Sequence, residues 1–409
     1  MMKIRNDEEA VKDILSHFER TGQNYFSKED FIEKLKSGKQ MRIKYGVDVT
    51  APFLHLGHAV NLWMMRKLQD YGHKVIFLIG DMTTKIGDPT GKSDTRPIIP
   101  QDAIDRNALE FIAQIKLILK TEDSDVFEIR RNSEWFSNMS LEEFMTLLSM
   151  VTHKRLISRD MFQKRISEER DIYMHEMIYP ILQGYDSKML DSDLTIVGSD
   201  QLFNEMMGKF YQEKFNQNTQ VIITTKITQG LDGKNKQSKS LNNYIALIDT
   251  PKDKFGKAMS MPDDQIIDWM LVYTDIPVNQ IGEFKNQLMQ RTNPRDIKLK
   301  LAFALVEKYH GKEAAIEEFT WFNNTISNKD FPDDAPELQL QQGKKSIIEI
   351  LMRYDTQKSK TDLRRLLEQG GVRINGEKKI NPNEIIELEH KQSYQVRVGK
   401  RRYFKITVL

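Results

Sequence analysis

Two histidines with a glycine between them stand where a predicted strand gives way to a predicted helix. His55, Gly57 and His58 follow the strand-like run Met41–Val49 and precede Ala59–Tyr71, which has helical spacing. In an open α/β sheet, ligands bind at the carboxyl ends of strands, and a helix N-terminus offers N–H groups that suit a phosphate. The segment therefore indicates a nucleotide site, with two ordinary surface histidines as the alternative.

A second segment concentrates positive charge in what is predicted to be a mobile loop. Lys234, Lys236 and Lys239 lie within seven residues and follow the glycine-bounded turn Gly230–Gly233. Such a loop could close over a triphosphate and neutralise charge as pyrophosphate leaves. Taken alone, a lysine-rich loop is more often solvated surface.

A third segment imitates a phosphate-binding P-loop. Gly87 and Gly91 are followed by Lys92 and Ser93, but only three residues separate the two glycines. The P-loop needs four residues there to form its cradle of N–H groups. The segment is therefore not a P-loop.

The elements that must position these residues alternate between strand and helix. The buried-strand runs are Lys74–Ile79, Leu194–Val197 and Val221–Thr225, and a block from about 100 to 190 reads as helical. This alternation predicts an α/β fold with a doubly wound parallel sheet. We expect the helical block to be an insertion between the two halves of that sheet.

Composition narrows the class of protein. The 409 residues include no cysteine, which excludes disulfides, thiolate metal sites and a cysteine nucleophile, and which fits a reducing cytoplasm. No apolar run approaches the roughly 20 residues needed to span a bilayer, so no membrane partner is expected.

Residues 343–409 hold 16 Lys and Arg against 8 Asp and Glu, whereas the preceding residues hold 45 Lys and Arg against 51 Asp and Glu. The basic tail favours a polyanionic partner, with a solvated charged surface as the alternative.

The histidine segment and the lysine-rich loop are more informative together than either is alone. His55–His58 and Lys236–Ser240 resemble, in order and spacing, the two signatures of class I aminoacyl-tRNA synthetases. Further segments resemble the tyrosyl-tRNA synthetases, at residues 48–97, 179–186, 198–204 and 254–263, and the resemblance as a whole extends over nearly the full chain.

The resemblance implies a tyrosine pocket. Tyr179, Gln183 and Asp88 would hold the substrate ammonium group, and Gln201 would orient the substrate carboxylate. Asp186 would accept a hydrogen bond from the substrate hydroxyl. A buried acceptor left without that hydroxyl costs free energy, so phenylalanine would be rejected.

The resemblance also implies an ATP site and a set of catalytic residues. ATP would enter as a substrate with Mg²⁺, and no tightly bound protein metal is expected. The implied catalytic residues are Thr50, His55, His58, Lys236 and Lys239. The residues implied around ATP are Gly46, Asp48, Gly57, Gly198, Asp200 and Lys239.

For the rest of the molecule, the resemblance implies a homodimer that binds tRNA(Tyr) in the cytoplasm. Arg364, Arg365 and Arg373 would meet RNA phosphates from a small α+β domain like that of a small-subunit ribosomal protein. The implied domains are a catalytic domain (1–249, with a helical insertion at about 100–190), a helical anticodon-recognition domain (250–330), a linker (331–345) and an RNA-binding domain (346–409).

Four positions depart from the family pattern: Lys44, where some branches have tyrosine; Val49, where proline is usual; Val197, where paired glycines are common; and Gln237, where methionine is usual. They leave a tyrosine–tRNA ligase as the leading hypothesis and two alternatives beside it. One is a synthetase-derived enzyme that activates tyrosine or an analogue for another pathway. The other is a non-enzymatic RNA-binding protein on the same scaffold.

Overall fold

The computed structural model describes residues 4–50, 53–88, 99–238, 241–327, 331, 335–355, 359–399 and 402–409. The chain folds into two compact units. The first comprises Met1–Thr250 with Lys257–Tyr309, and the second comprises Pro251–Gly256 with His310–Leu409.

One six-stranded sheet organises the first unit. Its strands are β1 (Gly22–Phe26), β2 (Arg42–Val47), β3 (Lys74–Ile79), β4 (Phe127–Arg131), β5 (Leu194–Gly198) and β6 (Val221–Thr225). The helices before β4 are α1 (Glu8–Thr21), α2 (Lys28–Lys36), α3 (Leu56–Asp70), α4 (Thr83–Ile86) and α5 (Gln101–Ile115). The helices after β4 are α6 (Ser133–Phe136), α7 (Leu141–Ser149), α8 (His153–Ile157), α9 (Asp160–Ser167), α10 (Met174–Met189) and α11 (Leu202–Lys214). Four more helices follow the sheet: α12 (Pro251–Ser260), α13 (Ile266–Tyr273), α14 (Val278–Met289) and α15 (Pro294–His310). Short 3₁₀ turns occupy Ser199–Gln201 and Asp263–Gln265.

The order of the strands in this sheet is β1-β6-β5-β2-β3-β4. All neighbours are parallel except β1, which is antiparallel to β6. Because β2 lies between β3 and β5, the chain builds the sheet outward from β2 in one direction and then in the other. This reversal opens a crevice at the carboxyl ends of β2 and β5. The predicted doubly wound α/β fold is confirmed.

The inner strands were predictable because they are apolar on both faces. All five residues of β6 are buried, as are five of the six in β3. Parallel strands covered by helices on both sides need such continuous apolar runs.

The block from about 100 to 190, which was predicted to be mainly helical, also contains a strand that was not predicted: β4, which pairs in parallel with β3. Strand β1 was not predicted either. Both are edge strands with one neighbour, and their sequences, FEIRR and GQNYF, carry polar side chains that remain partly exposed. Edge strands tolerate such residues, so the apolar signal that marks the inner strands is missing.

Two glycines bring helices α10 and α11 into direct contact. A side chain at Gly184 would lie 2.9 Å from backbone atoms of Met207, and one at Gly208 would lie 2.5 Å from the hydroxyl of Ser187. Real Cβ atoms do not approach other atoms so closely, so only glycine allows this spacing. The contact fixes the facing side chains of the two helices at short range.

The second unit is a small α+β body with its own core. Its helices are α16 (Lys312–Phe322), α17 (Ile347–Tyr354) and α18 (Lys360–Glu368), with a π-helical turn at Asn323–Ser327. Its strands are β7 (Glu337–Leu340), β8 (Gly343–Ser346), β9 (Val372–Ile374), β10 (Glu377–Lys379), β11 (Ile385–Leu388), β12 (Ser393–Val398) and β13 (Arg402–Val408). Five of them form a sheet in the order β10-β9-β12-β13-β7, and β11 pairs with β8.

The linker predicted at 331–345 was too long. Within it, β7 pairs in parallel with β13, and β8 begins at Gly343. The Pro- and Asp-rich start of the segment hid the alternation Glu-Leu-Gln-Leu, in which Leu340 is buried. Residues 332–334 lie outside the described residues.

Two histidines make the first unit sensitive to acid. Burial lowers the pKa of His73 from 6.5 to about 4, and burial together with Lys308 and Lys67 lowers that of His17 to about 4. In the folded chain, the Nδ1 atom of the fully buried His73 accepts a hydrogen bond from the Met41 amide at 3.2 Å. Protonation of that nitrogen would abolish the bond.

We predict that the free energy of unfolding falls as the pH drops from about 6.5 to about 4, because only the unfolded chain takes up these protons there. Each group contributes a slope of up to about 1.4 kcal/mol per pH unit. Urea unfolding at several pH values would measure the slope. His73→Gln retains an acceptor and should show a shallower slope; an unchanged slope would contradict the role of His73.

Candidate active site

A cavity of about 760 Å³ opens in the first unit, at the carboxyl ends of β2 and β5 where the strand order reverses. The structure brings nearly all predicted site residues of this unit to its walls. They are Gly46, Asp48, Thr50, His55, Gly57, His58, Asp88, Tyr179, Gln183, Asp186, Gly198, Asp200, Gln201 and Lys236. The remaining predicted residue, Lys239, lies outside the described residues, as do residues 89–98 of the segment that imitates a P-loop.

A buried carboxylate lies on one wall of the cavity. Asp186, only 3% exposed, accepts hydrogen bonds from Trp135 Nε1 at 3.0 Å and from Asn132 Nδ2 at 3.4 Å. Burial raises the pKa of Asp186 to about 8, and the nearby Lys44 ammonium partly opposes that rise. The site thus holds an oriented acceptor in a largely dry environment.

A second carboxylate links β2 to helix α10. Asp48 accepts a hydrogen bond from the Tyr179 hydroxyl at 2.9 Å and one from the Thr83 hydroxyl at 2.8 Å. Burial and the charge of Asp48 hold the pKa of Tyr179 well above its usual value. Tyr179 therefore stays neutral and donates to Asp48. Gly80 lies close behind this pair, since a Cβ there would lie 2.3 Å from the Thr83 hydroxyl.

The two histidines form the cap of helix α3. His55 Nδ1 accepts from the Gly57 amide at 3.1 Å, and His58 Nδ1 accepts from the His55 amide at 3.3 Å. In a neutral ring whose Nδ1 accepts, the proton is on Nε2. Both rings therefore have an Nε2–H as the donor, beside the positive end of the α3 dipole. The ring centroids are 4.0 Å apart.

On the opposite side of the cavity, an exposed ion pair joins β5 to the lysine loop. Lys236 Nζ lies 3.1 Å from a carboxylate oxygen of Asp200, and their side chains are 57% and 36% exposed. Pairs with such exposure contribute little to stability and exchange partners readily. Gly198 leaves room for Asp200, because a Cβ there would lie 2.6 Å from its carboxylate.

The described part of the lysine loop is more ordered than its composition suggested. Asp232 accepts hydrogen bonds from the Asn235 side chain and from the amides of Lys234 and Asn235, which lower its pKa to about 2. Gln237 is buried and donates to the Tyr273 hydroxyl at 2.7 Å. The departure at Gln237 therefore anchors the loop to α13 through a hydrogen bond that methionine could not donate.

Two other departures also have a physical reason. The amide of Val49 donates to the Thr84 hydroxyl at 3.1 Å, a bond that a proline at this position would lack. Lys44 is 1% exposed and lies 2.8 Å from Glu205 and 2.7 Å from the Ser187 hydroxyl. Nothing in the structure explains the valine at position 197.

Sequence reasoning missed several polar residues around the cavity: Asn132, Trp135, Asn204 and Glu205. Glu205 accepts from Gln183 Nε2 at 2.8 Å, and Asn204 donates to the side-chain oxygens of Gln183 and Gln201 at 2.9 and 3.0 Å. Helical periodicity does not identify Glu205, because the sequence pattern does not distinguish a buried glutamate on α11 from an exposed one.

The predicted RNA-binding arginines lie in the second unit. Arg364 and Arg365 are exposed on α18, and Arg373 is exposed on β9, where it donates to the Gly376 carbonyl at 2.9 Å. Their guanidinium groups are thus presented to solvent.

Among the described residues, no three His, Cys, Asp or Glu side chains are grouped so that they could hold a metal ion. In the same part of the chain, no helix is both long and apolar enough to cross a membrane.

Comparison with known proteins identifies two matching families along the chain. Residues 36–327 match the model of the class I tRNA synthetases for tryptophan and tyrosine. Residues 327–406 match the SYY-like C-terminal domain of tyrosine–tRNA ligase.

Individual relatives cover nearly the whole chain. This chain is 38% identical over 401 residues to the tyrosine–tRNA ligase of Thermotoga maritima, and the match covers 98% of each chain. It is 40% identical to that of Dehalococcoides mccartyi, over 92% of this chain and 94% of the relative.

Solved structures share the fold at lower identity. A truncated mitochondrial tyrosyl-tRNA synthetase of Aspergillus nidulans superposes with a TM-score of 0.63 at 21% identity, covering 77% of this chain and 96% of that one. The tyrosyl-tRNA synthetase of Archaeoglobus fulgidus, solved with L-tyrosine, superposes with a TM-score of 0.58 at 20% identity. The superposition covers 76% of this chain and 99% of that one.

Proposed function

The chain belongs to the class I tRNA synthetases for tryptophan and tyrosine, and from this premise we propose how its cavity attaches tyrosine to tRNA. Its activity is that of a tyrosine–tRNA ligase, with ATP as a substrate. The relatives share this activity over nearly the full length of the chain, which favours it over a synthetase-derived enzyme of another pathway and over a non-enzymatic RNA-binding protein.

The observation that carries the assignment of the tyrosine pocket is the buried, oriented carboxylate of Asp186. Trp135 and Asn132 fix it, so it meets an incoming phenol hydroxyl without reorganising. A ligand that lacks the hydroxyl would leave the carboxylate desolvated and incompletely paired, which is costly. Tyr179, Gln183 and Asp88 would surround the substrate ammonium group from α10 and from the segment after α4.

ATP, with Mg²⁺ on its phosphates, would lie between α3 and the lysine loop. The Nε2–H donors of His55 and His58 would contact phosphate and ribose oxygens at the α3 N-terminus, with Thr50 nearby. Asp200 would bind the ribose, and Lys236 and Lys239 would neutralise the pyrophosphate. Gly46, Asp48, Gly57 and Gly198 would complete the nucleotide site; at Gly46 a Cβ would contact only Leu78, at 3.8 Å.

The reaction needs no general base in its first step, because the tyrosine carboxylate is already ionised. One of its oxygens, oriented by Gln201, attacks the α-phosphorus, and the bond to the bridging oxygen breaks to release pyrophosphate. The terminal ribose hydroxyl of tRNA then attacks the carbonyl carbon of the adenylate, which releases AMP. The residues act by positioning and by electrostatic stabilisation.

The remaining parts of the assignment concern RNA and assembly. We propose that the catalytic domain spans 1–249, that the helices of 250–330 recognise the anticodon, and that 346–409 binds tRNA(Tyr) through Arg364, Arg365 and Arg373. We also propose that the enzyme works in the cytoplasm, which the absence of cysteine supports.

We propose a homodimer whose interface includes the edge of the sheet at β4 and helix α7. Ile129, Leu141 and Met145 are 42%, 76% and 56% exposed there. Exposed apolar side chains next to an unpaired strand edge favour association with another chain.

We predict that pyrophosphate exchange, assayed with each of the twenty amino acids, depends on tyrosine and is followed by transfer to tRNA(Tyr). At a pH above about 8, where Asp186 is ionised, Asp186→Asn removes a charge-assisted hydrogen bond worth about 1.5–3 kcal/mol, so kcat/KM for tyrosine should fall roughly 10- to 150-fold. The value for phenylalanine should change little. Asp105→Asn, a carboxylate outside the cavity, is the control. Exchange without transfer would point to a ligase of another pathway, and no exchange with any amino acid would contradict the assignment.

We predict that replacing Arg364, Arg365 and Arg373 together by alanine raises the KM for tRNA at least tenfold and weakens its salt dependence, because phosphate contacts are lost. Pyrophosphate exchange with tyrosine should not change. The matched control replaces three exposed basic residues of the first unit, Lys12, Arg106 and Lys116, by alanine. An equal loss in both triple variants would argue against an RNA surface on the second unit.

We predict that Leu141→Asp with Met145→Asp converts the protein to a monomer, since charges at these positions oppose burial at an interface. Sedimentation equilibrium would measure the mass. Met289→Asp, at a methionine 70% exposed on α14, should leave the mass unchanged. A dimer that survives the double substitution would place the interface elsewhere.

A further inference from the structure

A buried ion pair forms part of the cavity wall. Lys44 on β2 and Glu205 on α11 are 1% and 2% exposed, and their charged atoms are 2.8 Å apart. Burying two charges is expensive, and an isolated pair is often no more stable than apolar residues of the same size. The pair therefore invites an explanation beyond stability.

Glu205 is the centre of a set of directed hydrogen bonds. One carboxylate oxygen accepts from Gln183 Nε2 at 2.8 Å, and the other accepts from Gln220 Nε2 at 3.1 Å as well as facing Lys44. The glycine contact between α10 and α11 at Gly184 makes the approach of Gln183 to Glu205 possible.

The charge of Glu205 determines which way the amide of Gln183 faces. An ionised carboxylate only accepts hydrogen bonds, so Gln183 must present its NH₂ group to it. The carbonyl oxygen of Gln183 is then directed to Asn204 Nδ2, at 2.9 Å. A carbonyl oxygen has two lone pairs, so this atom can accept a second bond from a cation in the cavity.

A carboxylate also orients the amide of Gln201, at the other end of this hydrogen-bond network. Asp88 accepts from Gln201 Nε2 at 2.7 Å, which turns the carbonyl oxygen of Gln201 toward Asn204 at 3.0 Å. Carboxylates at both ends thus set the direction of three consecutive amides, and Asn204 must donate to both glutamines.

We propose that Glu205, held by Lys44, is a positioning residue for amino-acid activation: it orients the amide of Gln183 so that its carbonyl oxygen accepts the substrate ammonium group. This inference rests on the proposed contact between Gln183 and tyrosine. Without an acceptor at position 205, the NH₂ group of Gln183 loses its partner and the amide rotates. The KM for tyrosine then rises, while the KM for ATP and kcat change little.

The test compares two double variants, because removing one charge alone would leave the other buried and unpaired. Lys44→Met with Glu205→Leu gives an apolar pair with no acceptor for Gln183. Lys44→Met with Glu205→Gln is the matched variant, in which an amide oxygen can still accept from Gln183. Both lack Lys44 and its influence on Asp186, so their difference reports the acceptor at position 205.

We expect the KM for tyrosine in pyrophosphate exchange to be at least tenfold higher in the leucine variant than in the glutamine variant. In a Gln183→Ala background, the two should agree within about twofold, because the effect acts through Gln183. Equal KM values in the presence of Gln183, or a difference that persists without it, would overturn the proposal. Absence of tyrosine-dependent exchange in the unmodified protein would instead contradict the proposed function.

A control and a fallback complete the design. Arg165 and Glu176 form another buried ion pair, 2.8 Å apart and outside the cavity. Arg165→Met with Glu176→Leu should leave the KM for tyrosine within about twofold. If the leucine variant at position 205 does not fold, Glu205→Asp keeps the charge but withdraws the acceptor by one bond. It should raise the KM severalfold with Gln183 present and leave it unchanged in Gln183→Ala; equal values in both backgrounds overturn the proposal.

Discussion

The central constraint in this protein is that three carboxylates must be held close to one cavity without losing their hydrogen bonds. Asp48 has Thr83 and Tyr179, Asp186 has Trp135 and Asn132, and Glu205 has Lys44, Gln183 and Gln220. A buried charge lacking such donors would cost several kcal/mol. The donors come from strands and helices far apart in the chain, so the fold must assemble before the site can exist.

The reversal of strand order between β2 and β5 makes that assembly possible. It places the ends of the two strands on either side of a crevice, and the chain crosses from one half of the sheet to the other through α10. Backbone topology thus supplies the space, while side chains from β2, α10 and α11 supply its chemistry. A small rotation of α10 would alter Tyr179, Gln183 and Asp186 together.

Much of this arrangement follows from the sequence, and the exceptions have a common cause. The apolar runs of β3 and β6 identify buried strands, and the residue types around His55 and Tyr179 indicate the site. By contrast, β1, β4 and β7 are edge strands whose polar side chains weaken the pattern. The pairing of Lys44 with Glu205 was equally hidden, because burial of a charge depends on a partner about 160 residues away in the chain, which local periodicity does not reveal.

The glycine contact between α10 and α11 has a consequence for redesign of the pocket. Because Gly184 and Gly208 bring the helices together at the level of the backbone, side-chain substitution in the cavity does not easily move this wall. Room for a larger amino acid would have to come from shortening side chains that line the cavity, such as Leu78 on β3. Substrate range in this scaffold is therefore open to engineering on the side of β3, and closed along the line where the two glycines meet the facing helix.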